Sequence, residues 1–225
     1  MRVLVVEDEV RLAENIARGL REASGYAVDV VHDGEEALTH CSTGSYDLIV
    51  LDLMLPKFTG EEVLRSLRSA RDITPVMILT AVSDIARVIK LLDVGADDYM
   101  TKPFDLGELV ARCRALIRRS KGTGEPILRF GSVELHTSEH VVLRGGKPVE
   151  LSPTEYRILE YLIHRPRIVV SKRELLEHLY DFTWEHHSNV IEAHMSNLRR
   201  KLRSAPGDND VLETLRGRGY RLAQP

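Results

Sequence analysis

Along the first 120 residues, short apolar runs alternate with stretches in which apolar residues recur every three or four positions. Val3–Val6, Ala27–Val31, Leu48–Leu51, Val76–Leu79 and Asp98–Met100 have the length of strands, and most are rich in the branched residues of a buried parallel sheet. Val10–Glu22, Gly34–Cys41, Gly60–Ser69, Ser83–Val94 and Leu106–Arg119 carry the helical period instead. Asp33 and Glu36 form a capping-box pattern at the second of these. Five strand–helix units in succession predict an α/β domain, a doubly wound five-stranded parallel sheet.

The rhythm stops at "SKGTGEP", Ser120–Pro126, which reads as a linker, so the expected division is residues 1–120, a linker at 121–126, and a second domain over 127–225. The second domain starts with short strands at Ile127–Phe130, Val133–Leu135, Val141–Arg144 and Pro148–Leu151, the last two joined by a "RGGK" hairpin signal. Three helices with serine caps follow, beginning after Ser152, Ser171 and Ser188, and a final hairpin, Val211–Leu215 and Tyr220–Leu222, closes around "RGRG".

Parallel sheets of this kind bind ligands beyond the carboxyl ends of their strands. Here those ends carry Glu7, Asp8, Asp52, Thr80 and Lys102. One such acid alone could be a loop residue or a helix cap. Three carboxylates on one rim repel one another, and a hard divalent cation, magnesium most naturally, relieves that repulsion.

The set resembles the receiver domain of two-component response regulators over essentially all of residues 1–120. The matching residues are Glu7–Asp8, Asp52 within "LDLMLP", Thr80–Ala81 within "ILTA", and "GADDYMTKPF" at Gly95–Phe104. The resemblance implies that Asp52 accepts a phosphoryl group from a sensor histidine kinase. It implies that Glu7, Asp8, Asp52 and the backbone carbonyl of Met54 hold magnesium, with Lys102 as a second positive group and a cis bond before Pro103. Thr80 and Tyr99 are then the switch pair, the first moving toward the phosphate and the second turning inward. Haloacid-dehalogenase-type phosphatases also phosphorylate such an aspartate, but they place a second aspartate two residues on, where this chain has Met54. A switch is therefore expected rather than a hydrolase.

The third helix of the second domain sorts its residues by face. Ile191, Met195, Leu198 and Leu202 share one side, while Asn189, Ala193, Ser196, Asn197 and Arg200 share the other. Amide and guanidinium groups on an outward face suit purine edges in a major groove. Arg199, Lys201 and Arg203 are further basic candidates for DNA contact, the last two for phosphates. "LSPTEYRILEYLI", "VVSKRELL", "VIEAHMSNLRRKL" and "LRGRGYRL" resemble the winged-helix effector domain of OmpR/PhoB-type transcription factors. That resemblance makes the third helix the recognition helix, turns the loop Tyr180–His187 toward RNA polymerase, and makes Arg216–Tyr220, with Arg218, a wing. Ser196 and Asn197 stand where the family often carries basic residues. Double-stranded DNA with direct-repeat half-sites is the expected partner.

Composition adds limits. The chain is 43% hydrophobic and 29% charged, and no apolar run is long enough to span a bilayer, so a cytoplasmic protein without a membrane partner is expected. The first 120 residues hold 15 basic against 20 acidic groups and the remainder 16 against 14, so neither half is basic enough to announce nucleic-acid binding by charge alone. Cys41 and Cys113 lack metal or redox spacing and read as free thiols. His178, His186 and His187 lack accompanying cysteines and read as a solvated loop. Finally, Arg87, Lys90, Leu92, Asp97, Asp98, Glu108, Val110, Arg112 and Arg119 lie around Tyr99 at spacings that suit a two-fold interface, formed when Asp52 is phosphorylated.

Overall fold

The five apolar runs of the first half are strands, β1 (Arg2–Val6), β2 (Ala27–Val31), β3 (Leu48–Asp52), β4 (Val76–Thr80) and β5 (Asp98–Thr101), hydrogen-bonded in the order β2-β1-β3-β4-β5. Every pairing is parallel. In this computed structural model the residues described are 1–81, 85–122, 125–180, 190–203 and 211–223. They fall into two units, Met1–Gly122 and Thr123–Pro225.

Burial on both faces explains the unbroken apolar runs: Val3–Val6 and Leu48–Leu51 are at most 1% exposed. The helices α1 (Val10–Ser24), α2 (Gly34–Thr43), α3 (Gly60–Ser69), α4 (Ile85–Val94) and α5 (Leu106–Ser120) follow their strands in turn. Their ends are specified locally. Asp33 accepts the Glu36 amide at the start of α2, while Glu36 itself reaches the His32 amide. At α3 the Thr59–Glu62 box is reciprocal.

Two contacts fix the geometry that the functional rim inherits. Gly60 donates to the Leu53 carbonyl, and a Cβ at this position would lie 2.1 Å from the Asp52 carbonyl oxygen. Only glycine lets α3 begin so close to the end of β3. At the opposite end of the sheet, buried Asp47 accepts the Arg2 amide at 2.9 Å and the Lys121 ammonium at 2.7 Å. Lys121 lies just past α5, so the last helical turn is fastened to the sheet.

The second unit pairs β6 (Ile127–Phe130), β7 (Val133–His136), β8 (Val141–Arg144) and β9 (Lys147–Pro148) as an antiparallel meander. Gly145 and Gly146, both at positive φ, make the two-residue turn. The fourth strand is shorter than the expected Pro148–Leu151. Val149 makes one further bond to Val142, and the chain then enters the Ser152–Glu155 capping box of α6 (Pro153–Ile163), leaving no length for pairing.

Ser171 caps α7 (Lys172–Leu179), where Glu174 gives its carboxylate to the Tyr161 hydroxyl at 2.8 Å rather than closing the box. The third helix, α8 (Val190–Lys201), is followed by a hairpin of β10 (Leu212–Leu215) and β11 (Gly219–Leu222). Ser188 lies outside the described residues. Among those residues no helix is long and apolar enough to cross a membrane.

Gly60→Ala should force apart α3 and the Asp52 backbone. The expected cost is about 1–3 kcal/mol, read as a lower urea midpoint for the first unit; an unchanged midpoint would mean the loop relaxes freely.

Candidate functional site

The sheet order reverses at β1, whose neighbours are β2 and β3, so a crevice opens beyond the carboxyl ends of β1 and β3. Glu7 and Asp8 follow β1 and Asp52 ends β3, and one oxygen from each of the three lies within 4.8 Å of the others. Glu7 and Asp52 are 1% and 4% exposed, whereas Asp8 is open to solvent.

Lys102, just beyond β5, reaches into this cluster. Its ammonium is 2.7 Å from Glu7 Oε2 and 2.7 Å from Asp52 Oδ2. The backbone amide of Met54 donates to Asp52 Oδ1 at 3.1 Å, so both oxygens of Asp52 are oriented. Glu7 is fixed further by the Glu9 amide, and His32 Nδ1 lies 2.8 Å from the Glu7 carbonyl oxygen. Burial raises the Glu7 carboxyl above its ordinary range; Lys102 only partly offsets this, and the charge of Asp52 adds to it. Burial also opposes the charge of Lys102, but the bonds from Asp52 and Glu7 prevail and raise its pKa. Lys102 thus binds two of the three carboxylates, and an all-oxygen cluster with surplus negative charge fits a hard divalent ion.

Thr80, the last residue of β4, is fully buried, and its carbonyl accepts the Lys102 amide at 2.7 Å. Tyr99 on the edge strand is 39% exposed. The Lys102–Pro103 bond is cis.

Around Tyr99, Lys90, Asp97, Asp98, Glu108 and Arg112 already have partners within the chain, while Arg87 is half-buried and Arg119 exposed. Arg112 binds Asp98 at 3.1 Å and Glu108 at 2.8 Å. Asp97 accepts Arg68 and, at 2.8 Å, the Val76 amide, while Lys90 reaches Glu61 at 2.9 Å. Leu92 is exposed, but Val110 is only 3% exposed, which corrects its placement on the outer face: in α5 it packs inward with Leu109 and Cys113. Ile89, 53% exposed and one turn from Leu92, is an outward apolar residue that the sequence reading passed over.

On α8 the two faces separate as expected. Ile191, Met195, Leu198 and Leu202 are buried, while Ala193, Ser196 and Arg200 are exposed and Asn197 is half-buried. Asn189 lies outside the described residues. Arg200 donates to the Asn197 side chain at 3.1 Å.

Three candidate DNA contacts have other roles in the free domain. Arg199 donates to the Leu212 carbonyl and the Thr214 hydroxyl, fastening the helix to the hairpin. Lys201 binds the buried Glu155 carboxylate at 2.8 Å. Tyr220 is 8% exposed and its backbone pairs with Val170, so it belongs to the core beneath the hairpin. Arg203, Arg216 and Arg218 are exposed. Lys172 and Arg173 line a concavity together with the hairpin turn, and the sequence reading missed them. The available signal was two cations in the first turn after the Ser171 cap.

The histidine reading is corrected in part: His178 sits in the last turn of α7, 6% exposed with its ring 4.7 Å from Tyr161, while His186 and His187 lie outside the described residues. Both thiols are free, and burial pushes each up to about 12.

Comparison with known proteins matches one family model within each unit. The family model for the response regulator receiver domain matches residues 3–114, and that for the C-terminal domain of transcriptional regulatory proteins matches residues 146–222. The transcriptional regulatory protein TcrA of Mycobacterium tuberculosis is 46% identical over 99% of this chain and 87% of its own length. The response regulator protein PmrA of Pseudomonas aeruginosa is 43% identical over 100% of this chain and 99% of its own. Among solved structures, the receiver domain of Francisella response regulator 1452 is 39% identical, with a TM-score of 0.51, covering 53% of this chain and 98% of that one.

The Lys201–Glu155 bond makes a pH-dependent prediction. Burial works against the Glu155 anion, but Lys201 and the Ser152 amide outweigh it and hold its carboxyl below the ordinary value of 4.5. A carboxylate depressed in the fold contributes stability above its unfolded value and loses it as pH falls through the folded one. Lys201→Met should therefore melt earlier than the parent at pH 7, with the gap narrowing below about pH 4. Circular dichroism of both proteins at each pH is the measurement.

Proposed function

The chain belongs to the two-component response regulators of OmpR/PhoB type, phosphorylation-regulated DNA-binding transcription factors and not enzymes, and on that premise we propose that Asp52 is the residue phosphorylated. The observation that carries this reading is the Asp52 carboxylate at the switch point of the sheet, 2.7 Å from the Lys102 ammonium and clustered with Glu7 and Asp8.

A carboxylate oxygen of Asp52 attacks the phosphorus of a phosphohistidine presented by a sensor kinase. The phosphorus–nitrogen bond breaks, its electron pair stays on the imidazole, and that nitrogen takes a proton from solvent. Glu7, Asp8, Asp52 and the Met54 carbonyl would hold magnesium, which when bound draws charge off the phosphoryl oxygens. Lys102 is placed to follow the transferred oxygens, exchanging a carboxylate partner for a phosphoryl one. The Thr80 hydroxyl then donates to the phosphate, and Tyr99 turns into the space that opens beside it.

The face around Tyr99 is the proposed dimer surface, formed by Arg87, Lys90, Leu92, Asp97, Asp98, Glu108, Arg112 and Arg119. The bond between Arg112 and Asp98 can be exchanged across a two-fold axis with little change in charge pairing. Exposed pairs of this kind contribute about 0–1 kcal/mol each, so the dimer depends on Tyr99 and its apolar neighbours as well as on charge. Dimerisation brings two effector domains to direct-repeat half-sites, with Ala193, Ser196, Asn197 and Arg200 at base edges, Arg203 at phosphates and Arg216 and Arg218 as the wing. The segment from Tyr180 to His187, of which residues 181–187 lie outside the described residues, is the proposed contact for RNA polymerase, and the whole acts in the cytoplasm.

Asp52→Asn should remove labelling by acetyl phosphate, and Asp8→Asn should weaken it severely at limiting magnesium, with circular dichroism unchanged in both. Full labelling of Asp52→Asn would overturn the assignment.

The interface is tested by sedimentation of beryllofluoride-treated protein. The parent should dimerise, and Arg112→Glu should stay monomeric at the same concentration. Equal dimerisation of both would place the interface elsewhere.

A further inference from the structure

Among the described residues, the face assigned to DNA carries a carboxylate beside its cations. Glu192, in the first turn of α8, has a side chain 47% exposed and is bonded to Lys172 Nζ at 2.7 Å. It opens into a concavity of about 430 Å³ between the start of α7 and the hairpin turn. Lys172, Arg173, Arg216 and Arg218 line the same space. A carboxylate here is costly beside a polyanion unless it has its own donor, and in the free domain Lys172 supplies that donor. The bond also holds the Glu192 carboxyl below its ordinary range.

Helical spacing places Glu192 on the flank of the outward ridge, one turn from Ser196 and next to Ala193. The first turn of a recognition helix is the part that reaches base edges. In a major groove the exocyclic amino groups of cytosine and adenine are donors, and a carboxylate pairs most simply with the cytosine amino group. Glutamine, of the same shape, instead donates and accepts at once and suits adenine. Lys172, for its part, is the first residue of α7, and a helix start favours a phosphate.

We propose that Glu192 is a specificity-determining residue that reads a cytosine amino group, with Lys172 transferring from it to a backbone phosphate as DNA binds. This rests on the DNA-binding reading above and names what one residue of that surface recognises. The exchange leaves every charge paired in both states: Lys172 with Glu192 when free, Lys172 with phosphate and Glu192 with an amino group when bound. An acid so placed also rejects sequences that present only acceptors to it, because its carboxylate is then left facing oxygen or ring nitrogen.

The test uses the full chain, treated with beryllofluoride, and duplex DNA selected from a random pool. The parent should select a cytosine at one position of each half-site. Glu192→Gln should move that position toward adenine, with cytosine disfavoured roughly tenfold relative to the parent's preference. Lys172→Met should weaken all sequences alike, with the salt dependence of binding reduced by about one counterion. Should Glu192→Gln and Glu192→Ala select the same motif as the parent, or lose affinity uniformly, the carboxylate is only a strut for Lys172 and the inference fails. Failure of the parent to enrich any sequence would overturn the DNA-binding reading itself, a different result.

Discussion

The Lys102 ammonium, shared between Glu7 and Asp52, is the contact around which the first unit is arranged. Two buried carboxylates at the ends of adjacent strands repel each other, and without a cation between them the end of the sheet would not close as it does. Lys102 comes from the far edge of the sheet, so its reach depends on β4 and β5 standing in register, and its backbone amide is held by the Thr80 carbonyl. Lys102 thus joins the acid cluster to the end of β4 at Thr80 and, through the chain, to β5, which carries Tyr99.

Much of this was legible in the sequence because the physics is local. Strands buried on both faces read as continuous apolar runs, and Leu48–Leu51 ending at Asp52 stood out because a carboxylate interrupts one. The caps at Asp33, Ser152 and Ser171 were equally readable, since each needs only residues three positions apart. Periodicity could not show which exposed charges find partners far along the chain. Lys201 lies 46 residues from Glu155, and Asp97 takes Arg68 from 29 residues away. Val110 was misplaced for a related reason: α5 packs an apolar stripe broader than its exposed charges suggested.

In the second unit, two basic residues of the third helix are bound within the fold. Arg199 and Lys201 fasten α8 on its two flanks, one to the hairpin and one to α6. Between these anchors the ridge of Ala193, Ser196, Asn197 and Arg200 is small and polar, and Arg200 is already oriented by Asn197. A recognition surface built this way depends more on the fit of particular groups than on bulk charge, in keeping with the nearly balanced charge of the chain as a whole.

The fastening of Lys121 bears on where the chain can be cut and rejoined. Asp47 has a side chain 1% exposed and binds the Lys121 ammonium, yet Lys121 lies beyond the last residue of α5. A receiver excised at the end of the helix would keep every strand and helix of the first unit and yet lose the ammonium that binds Asp47 at 2.7 Å. Chimeras that exchange effector domains therefore have their natural seam after Lys121, and fusions made one residue earlier would inherit a weakened receiver whatever domain is attached.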